Sequence, residues 1–297
     1  NPYIRTGIGK QKLNNALPSG MVRNISWEEA IKYFTEHQTG TDADATFAKD
    51  FVNQFVHNSS AYEVAVGIVT KDLKIGITET TLNQVYGNNF IPKIGIMRGM
   101  DYNDVKDKVK GPFIVTEKLD GARRLLIKEN GRVTFYTRNG HIDDGLIEIE
   151  KEAVHLPDNC VYDGELLAIG EFSDSIALRQ ATNSIANSKG KKYGLTYNIF
   201  DMIPVDEFKK GKSKTDALTR KTLLAALFND EESLKKLLPD NWQKFLLLSI
   251  DYNFNYIKPV PVLGVVETEE EILDLAKPIW ERNFEGVMLN TVDGLYE

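Results

Sequence analysis

A lysine, a carboxylate and an arginine stand within six residues at Lys118-Leu119-Asp120-Gly121-Ala122-Arg123, directly after the apolar run Phe113-Ile114-Val115-Thr116. That combination can do chemistry on a phosphate ester. A lysine emerging from an apolar strand can be partly desolvated, which lowers its pKa and leaves an amine lone pair for nucleophilic attack. Asp120 can hold a metal or orient a reacting hydroxyl, and Arg123 can grip a phosphate with its planar fork. The competing reading is a surface turn, an Asp-Gly bend flanked by solvated cations. Common phosphate-binding devices are missing: Gly211-Lys212-Ser213 resembles the end of a P-loop, but Asp206 stands where its first glycine should be. Gly7-Ile8-Gly9 has neither the third glycine of a dinucleotide fingerprint nor a preceding strand. His37, His57, His141 and His155 lack ligand spacing, and Cys160 reads as a small buried apolar residue.

The elements that must position the lysine segment follow from periodicity and punctuation. Residues 1 to about 25 read as loop, broken by Pro2, Gly7, Gly9, Pro18 and Gly20. Ser26 with Glu29, and Ser60 with Glu63, are spaced as capping boxes opening amphipathic helices. Between them a helix near Ala43 to Val56 would place Phe47, Phe51, Phe55 and Val56 on one face. The character changes at Lys110-Gly111-Pro112. Strands are expected at 113–116, 124–127 and 133–136, with Asn130-Gly131 as a hairpin turn, and again at 161–169 and 195–203. Helical stretches near 147–155 and 173–187 separate them. The reading is an α+β chain: a mostly helical domain over 1–105, then an antiparallel-sheet domain over 106–297.

Composition bounds the rest. The 297 residues carry 36 Lys+Arg against 43 Asp+Glu, a net charge of -7, with 42% hydrophobic residues and one cysteine. A disordered or disulfide-stapled chain is excluded, and a reducing, cytoplasmic setting is expected. No apolar run approaches the ~18 to 20 residues of a membrane span. The acidic total argues against a simple polyanion binder. Its distribution does not, because residues 179–221 carry ten Lys or Arg against four Asp or Glu, including Lys189, Lys191, Lys192, Lys209, Lys210, Lys212 and Lys214. These are either candidate phosphate contacts or a solvated loop.

Lys118 to Arg123 resembles the active-site motif of covalent nucleotidyltransferases, the superfamily of DNA ligases, RNA ligases and capping enzymes. Four further segments follow in that family's order. Thr137-Arg138-Asn139-Gly140 is similar to its arginine motif, and Val161-Tyr162-Asp163-Gly164-Glu165-Leu166 to its first carboxylate motif. Tyr197-Asn198-Ile199-Phe200-Asp201-Met202 is similar to the aromatic motif, and Glu285-Gly286-Val287-Met288-Leu289 to the second carboxylate motif. Within the superfamily the chain most resembles ATP-dependent DNA ligases of the T-even bacteriophage type. Asn183–Asn187, Thr291–Glu297 and, upstream, Thr70–Gly76 are also similar to segments of that group.

The resemblance implies ATP as substrate, Mg²⁺, nicked duplex DNA as partner and a monomer acting without a membrane. Lys118 would be the nucleophile, with Asp120, Arg123 and Arg138 beside it in catalysis. Thr116, Glu117, Arg123, Glu165, Phe200 and Glu285 would hold the nucleotide, Phe200 by stacking on adenine with Tyr197 as the fallback. Glu165 and Glu285 would meet the metal, and Asp163 is open between site and support. The family's final lysine pair and its small β-barrel would fall beyond Glu297, so the chain reads as a central piece of a longer ligase. An RNA ligase or GTP-using capping enzyme, and a non-catalytic nucleic-acid-binding relative, are the competing readings.

Overall fold

The computed structural model describes residues 6–297 except 22–23, 38–39, 74–75, 77–78, 88–94, 139 and 241. Asn139 of the arginine motif and Lys74-Ile75 of the upstream segment therefore lie outside the described residues. The chain divides into two compact units, Asn1–Lys93 and Ile94–Glu297.

The first unit is helical: α1 (Lys10–Asn15), α2 (Trp27–Glu36), α3 (Asp42–Asn53), α4 (Ser60–Thr70) and α5 (Glu79–Tyr86). Phe34, Phe47, Phe51, Val52 and Val69 are buried together, joined by Ile8 and Leu13. Leu13 sits on α1, in a stretch the glycines and prolines had marked as loop. The Ser26 hydroxyl accepts from Glu29 N–H, which forms the serine half of the expected capping box. At α4 the cap is Ser59, accepting from Tyr62 N–H, because Ser59 is still extended while Ser60 is already helical. The strongest box is Thr41 with Asp44, which opens α3. That helix stops at Asn53, so Val56 falls outside its apolar face and is exposed.

The second unit opens with a short helix, α6 (Tyr102–Val105), and β1 (Phe113–Glu117), β2 (Ala122–Glu129) and β3 (Arg132–Thr137). The β2–β3 hairpin turns at Asn130 and Gly131, both with positive φ, as a tight two-residue turn requires. Then follow α7 (Ile147–Ala153), β4 (Cys160–Ala168), α8 (Ser175–Ala186), β5 (Leu195–Pro204), α9 (Val205–Phe208), α10 (Ala217–Leu227) and α11 (Glu231–Leu237). A 3-10 turn at Trp242–Leu248 precedes β6 (Ile257–Pro259), β7 (Val262–Val266), α12 (Glu269–Trp280) and β8 (Val287–Thr291). The strands form two sheets, ordered β7-β1-β8 and β3-β2-β4-β5-β6. Pairing is antiparallel throughout except between β5 and β6. This is the antiparallel α+β architecture that the sequence implied.

Alternation along the strands builds the cores. Leu126, Phe135, Tyr162, Leu166, Tyr197 and Ile199 pack under α7, α8 and α10, while Ala225 and Ala226 of α10 join Ile114 and Val262 of the smaller sheet. One helix thus contributes to the cores of both sheets. The parallel strand β6 is held by Glu152 of α7, whose carboxylate accepts from the backbone N–H groups of Asn255, Tyr256 and Ile257 at 2.7–2.9 Å. That buried charge is satisfied entirely by main-chain donors.

Candidate active site

Strand β1 lies in one sheet and β2 in the other, so Lys118 to Gly121 form the crossover between them. The Lys118 amide donates to Gly286 O at 2.9 Å, extending the β1–β8 ladder one residue past the strands. This pairing brings Glu285 alongside, and the Lys118 ammonium sits 3.0 Å from Glu285 Oε2. A Cβ on Gly121 would stand 2.1 Å from Leu166 O, so only glycine lets the crossover pass against β4. The Lys118 side chain is 48% exposed, and its neighbour is a charge rather than an apolar wall. Glu285 likewise lies in the loop before β8, where an ion pair rather than a strand environment holds it.

On the larger sheet, antiparallel register sets Arg123 opposite Glu165, with Asp163 two residues before Glu165 on the same face. Arg123 Nε and Nη2 donate to the two Asp163 oxygens at 2.9 and 2.6 Å, and Tyr296 Oη donates to Asp163 Oδ2 at 2.6 Å. Asp163 is fully buried, so its charge is matched inside the protein. Its place in the site is to hold Arg123. A guanidinium has five N–H donors, and this fork uses one edge, leaving Nη1 and the outer Nη2 hydrogen for another anion.

Glu165 has no such fork. Burial pushes its carboxyl up to about 8; the charge of Asp163 adds to the rise, while Arg123, Arg124 and a hydrogen bond from the Gly121 backbone oppose it. Phe200 occupies a bulge in β5, between Ile199 opposite Gly164 and Asp201 opposite Asp163, and the Arg123 guanidinium lies 5.3 Å from its ring centroid. Tyr197 points the other way. Its ring is fully buried and its hydroxyl is bonded to main-chain oxygens of Arg124 and Tyr162, which makes it core.

The remaining residues differ in their relation to these clusters. Asp120 is buried, 3.7 Å from Arg179 Nη1 of α8; burial and the nearby Glu285 raise its pKa, against the pull of Arg179, Ser175 and Lys118. Glu117 is 3.5 Å from Arg282. Thr116 is buried in the middle strand of the small sheet, paired with Val262 of β7 and Met288 of β8. Arg138 is exposed at the end of β3 and touches none of the others. Arg124, on the opposite face of β2 from Arg123, is buried with Asp143 and Lys192. Arg179, Arg282 and Tyr296, to which the sequence assigns no role, pair with site carboxylates from α8, the turn after α12 and the segment after β8. No local spacing signals such remote partners.

For a cation, the donor set is one half-buried carboxylate with a raised pKa and a second one engaged by Lys118. Among the described residues no three His, Cys, Asp or Glu side chains converge. Mg²⁺ is commonly held by one or two carboxylates together with substrate phosphates and water, so these residues fit an ion that arrives with a nucleotide.

The lysine of the sheet crossover, the arginine fork and the carboxylates around them all fall within residues 97–297, which match the family described as ATP dependent DNA ligase domain. The chain belongs to that family. Two solved structures share the fold of this ligase-family chain over its whole length. Pmar-Lig_PreS3 aligns with a TM-score of 0.66 at 22% identity, and Pmar-Lig_Pre. with 0.65 at 23%. The chain spans 66% and 65% of their lengths. Against the curated proteins no match is found. Among the described residues of this ligase-family chain no helix is long and apolar enough to cross a membrane.

Proposed function

We propose that the protein is an ATP-dependent DNA ligase of the T-even bacteriophage type, sealing 5′-phosphate/3′-hydroxyl nicks in duplex DNA. The observation that carries the reading is the Lys118–Glu285 pair on the sheet crossover, beside the Arg123–Asp163 fork. Lys118 gives up its ammonium proton to solvent, and the free amine Nζ forms a bond to the α-phosphorus of ATP as the bond to the pyrophosphate oxygen breaks and a second proton leaves Nζ, giving lysyl-AMP. An oxygen of the nick 5′-phosphate then displaces the lysine from that phosphorus. The 3′-hydroxyl finally attacks the 5′-phosphate and AMP leaves. Passing through a covalent adenylate divides one difficult displacement into steps with good leaving groups.

The protein's own residues mainly position and neutralise. Glu285 holds the Lys118 chain in place before the nucleotide binds. The free edge of Arg123, with Arg138, takes a phosphate; Asp120 orients the reacting groups; Phe200 stacks on adenine, with Thr116 and Glu117 at its edge. Glu165 meets the ribose hydroxyls or the metal; Glu285 and Glu165 are the residues that would hold Mg²⁺, which would supply Lewis-acid charge neutralisation at the phosphates. The helical residues 1–105 serve as a DNA-binding domain and 106–297 as the adenylation domain of a cytoplasmic monomer.

The test is covalent labelling. The full-length protein incubated with Mg²⁺ and ATP labelled on the α-phosphate should acquire an acid-stable label that Lys118→Ala lacks. Labelling by GTP alone would overturn the substrate, and no label from any nucleotide would favour a binding protein without turnover.

A further inference from the structure

Phe200 owes its position to a residue that no motif includes. As the extra residue of a bulge it lacks a ladder partner, and a main-chain carbonyl left unpaired in a protein interior is costly. Lys221, on α10, donates its ammonium to that carbonyl. The same nitrogen lies 6.0 Å from the centroid of the Phe200 ring. Lys221 is buried, 5% exposed, and burial lowers its pKa. A buried ammonium is an expensive way to fill space where a methionine would pack, so its bonds have to account for it.

The neighbouring carboxylates do not account for it. Asp201 is gripped by Arg220 through Nε at 2.8 Å and Nη2 at 3.0 Å, and Asp163 by Arg123 and Tyr296. Lys221 forms no ion pair among the described residues. Its direct contact is the Phe200 main chain, from a helix whose other residues pack in the cores of both sheets.

We propose that Lys221 is a positioning residue for the nucleotide base: it fixes the β5 bulge and so the plane and depth of the Phe200 ring. This rests on the reading of Phe200 as the surface on which adenine stacks. The effect falls chiefly on the base, because the direct contact of Lys221 is the Phe200 carbonyl, while Asp163 and Asp201 are already engaged by Arg123, Tyr296 and Arg220.

The experiment compares wild type, Lys221→Met, Phe200→Leu and the double variant in the full-length protein. It measures ATP binding without Mg²⁺, the ATP dependence of lysyl-AMP formation, and inhibition by inorganic tripolyphosphate. Lys221→Met should raise the Kd and KM for ATP about tenfold, the scale of one base–aromatic stack, with kcat within about threefold and tripolyphosphate affinity unchanged. Adding it to Phe200→Leu should change KM less than about twofold, since the two act through one platform. An ATP KM unmoved by Lys221→Met, or equal losses for ATP and tripolyphosphate, overturns the proposal. If Lys221→Met does not fold, Lys221→Gln, which keeps an N–H donor, should bind ATP within about threefold of wild type; a tenfold loss there overturns it too. Wild type that binds ATP without forming lysyl-AMP would sink the ligase reading while the binding comparison still decides Lys221. Unchanged ATP affinity in Phe200→Leu would remove the platform and the proposal with it.

Discussion

Glu165 and Asp163 are two carboxylates on one face of β4, two residues apart, and their surroundings give them opposite roles. Asp163 is locked by Arg123 and Tyr296; Glu165 faces Arg123 across the ladder without a fork, and burial pushes it up to about 8. A carboxyl whose folded pKa lies above its unfolded value binds its proton more tightly in the folded state. Its stabilising contribution is therefore present at low pH and lost as pH rises from 4.5 toward about 8. Glu165→Gln, neutral at every pH, should show a smaller fall in Tm between about pH 5 and pH 8.5 than wild type. Parallel falls in the two proteins would show that Glu165 does not titrate in this range. At this scale the sequence exposed the groups that lie inside motifs, Lys118, Arg123, Glu165 and Glu285, but not what they touch. Asp163 stayed open between site and support because its partner Tyr296 is 133 residues away and the choice depends on that contact.

Between residue and domain, the strands were legible because apolar runs such as Phe113-Ile114-Val115 need two covered faces, and the Asn130-Gly131 turn because positive φ favours those residues. Helix α1 was hidden by flanking glycines, and the cap of α4 by two adjacent serines of equal capping power. The parallel β5–β6 pair left no trace either, since Glu152 that staples it lies more than a hundred residues away. What no pattern could show is that the lysine motif is a sheet-to-sheet crossover, and that is where Gly121 becomes decisive. The place a Cβ would take on Gly121 faces Leu166 O, a backbone atom that cannot swing aside, so Gly121→Ala must push the crossover off β4. The displacement falls three residues from the Lys118 amine. Overpacking of this kind costs about 1–3 kcal/mol, and misplacing a nucleophile by about an ångström costs on the order of a hundredfold in rate. Gly121→Ala should therefore stay folded with a modestly lowered Tm, yet form lysyl-AMP about a hundredfold more slowly at saturating ATP. A rate within threefold of wild type would show that the crossover adjusts without moving Lys118.

For the whole molecule the net charge of -7 says little about nucleic acid, because the cations of residues 179–221 are unequally free. Lys192 is buried against Asp143; Lys209, Lys210 and Lys212 pair with Glu129, Asp206 and Glu297. The segment's phosphate-contact reading thus contracts to Lys189, Lys191 and Lys214, all exposed. Lys189 and Lys191 flank Gly190 in a loop held at its base, where Lys192 N–H donates to Gly145 O at 2.7 Å and a Cβ on Gly145 would stand 2.2 Å from Gly190 O. A tethered pair of ammoniums loses less freedom on meeting a phosphate backbone than two lysines on a loose loop would. If both contact phosphates, replacing them with alanine removes two released counterions, and the slope of log K against log salt should become shallower by roughly 1.8. Nicked-duplex affinity of Lys189→Ala/Lys191→Ala, measured across a salt series, should show that change together with weaker binding at low salt. Formation of lysyl-AMP, which needs no DNA, should proceed at the wild-type rate, separating a docking defect from damage to the site. An unchanged salt slope would assign these lysines to solvent and leave the DNA contacts to other surfaces of the chain.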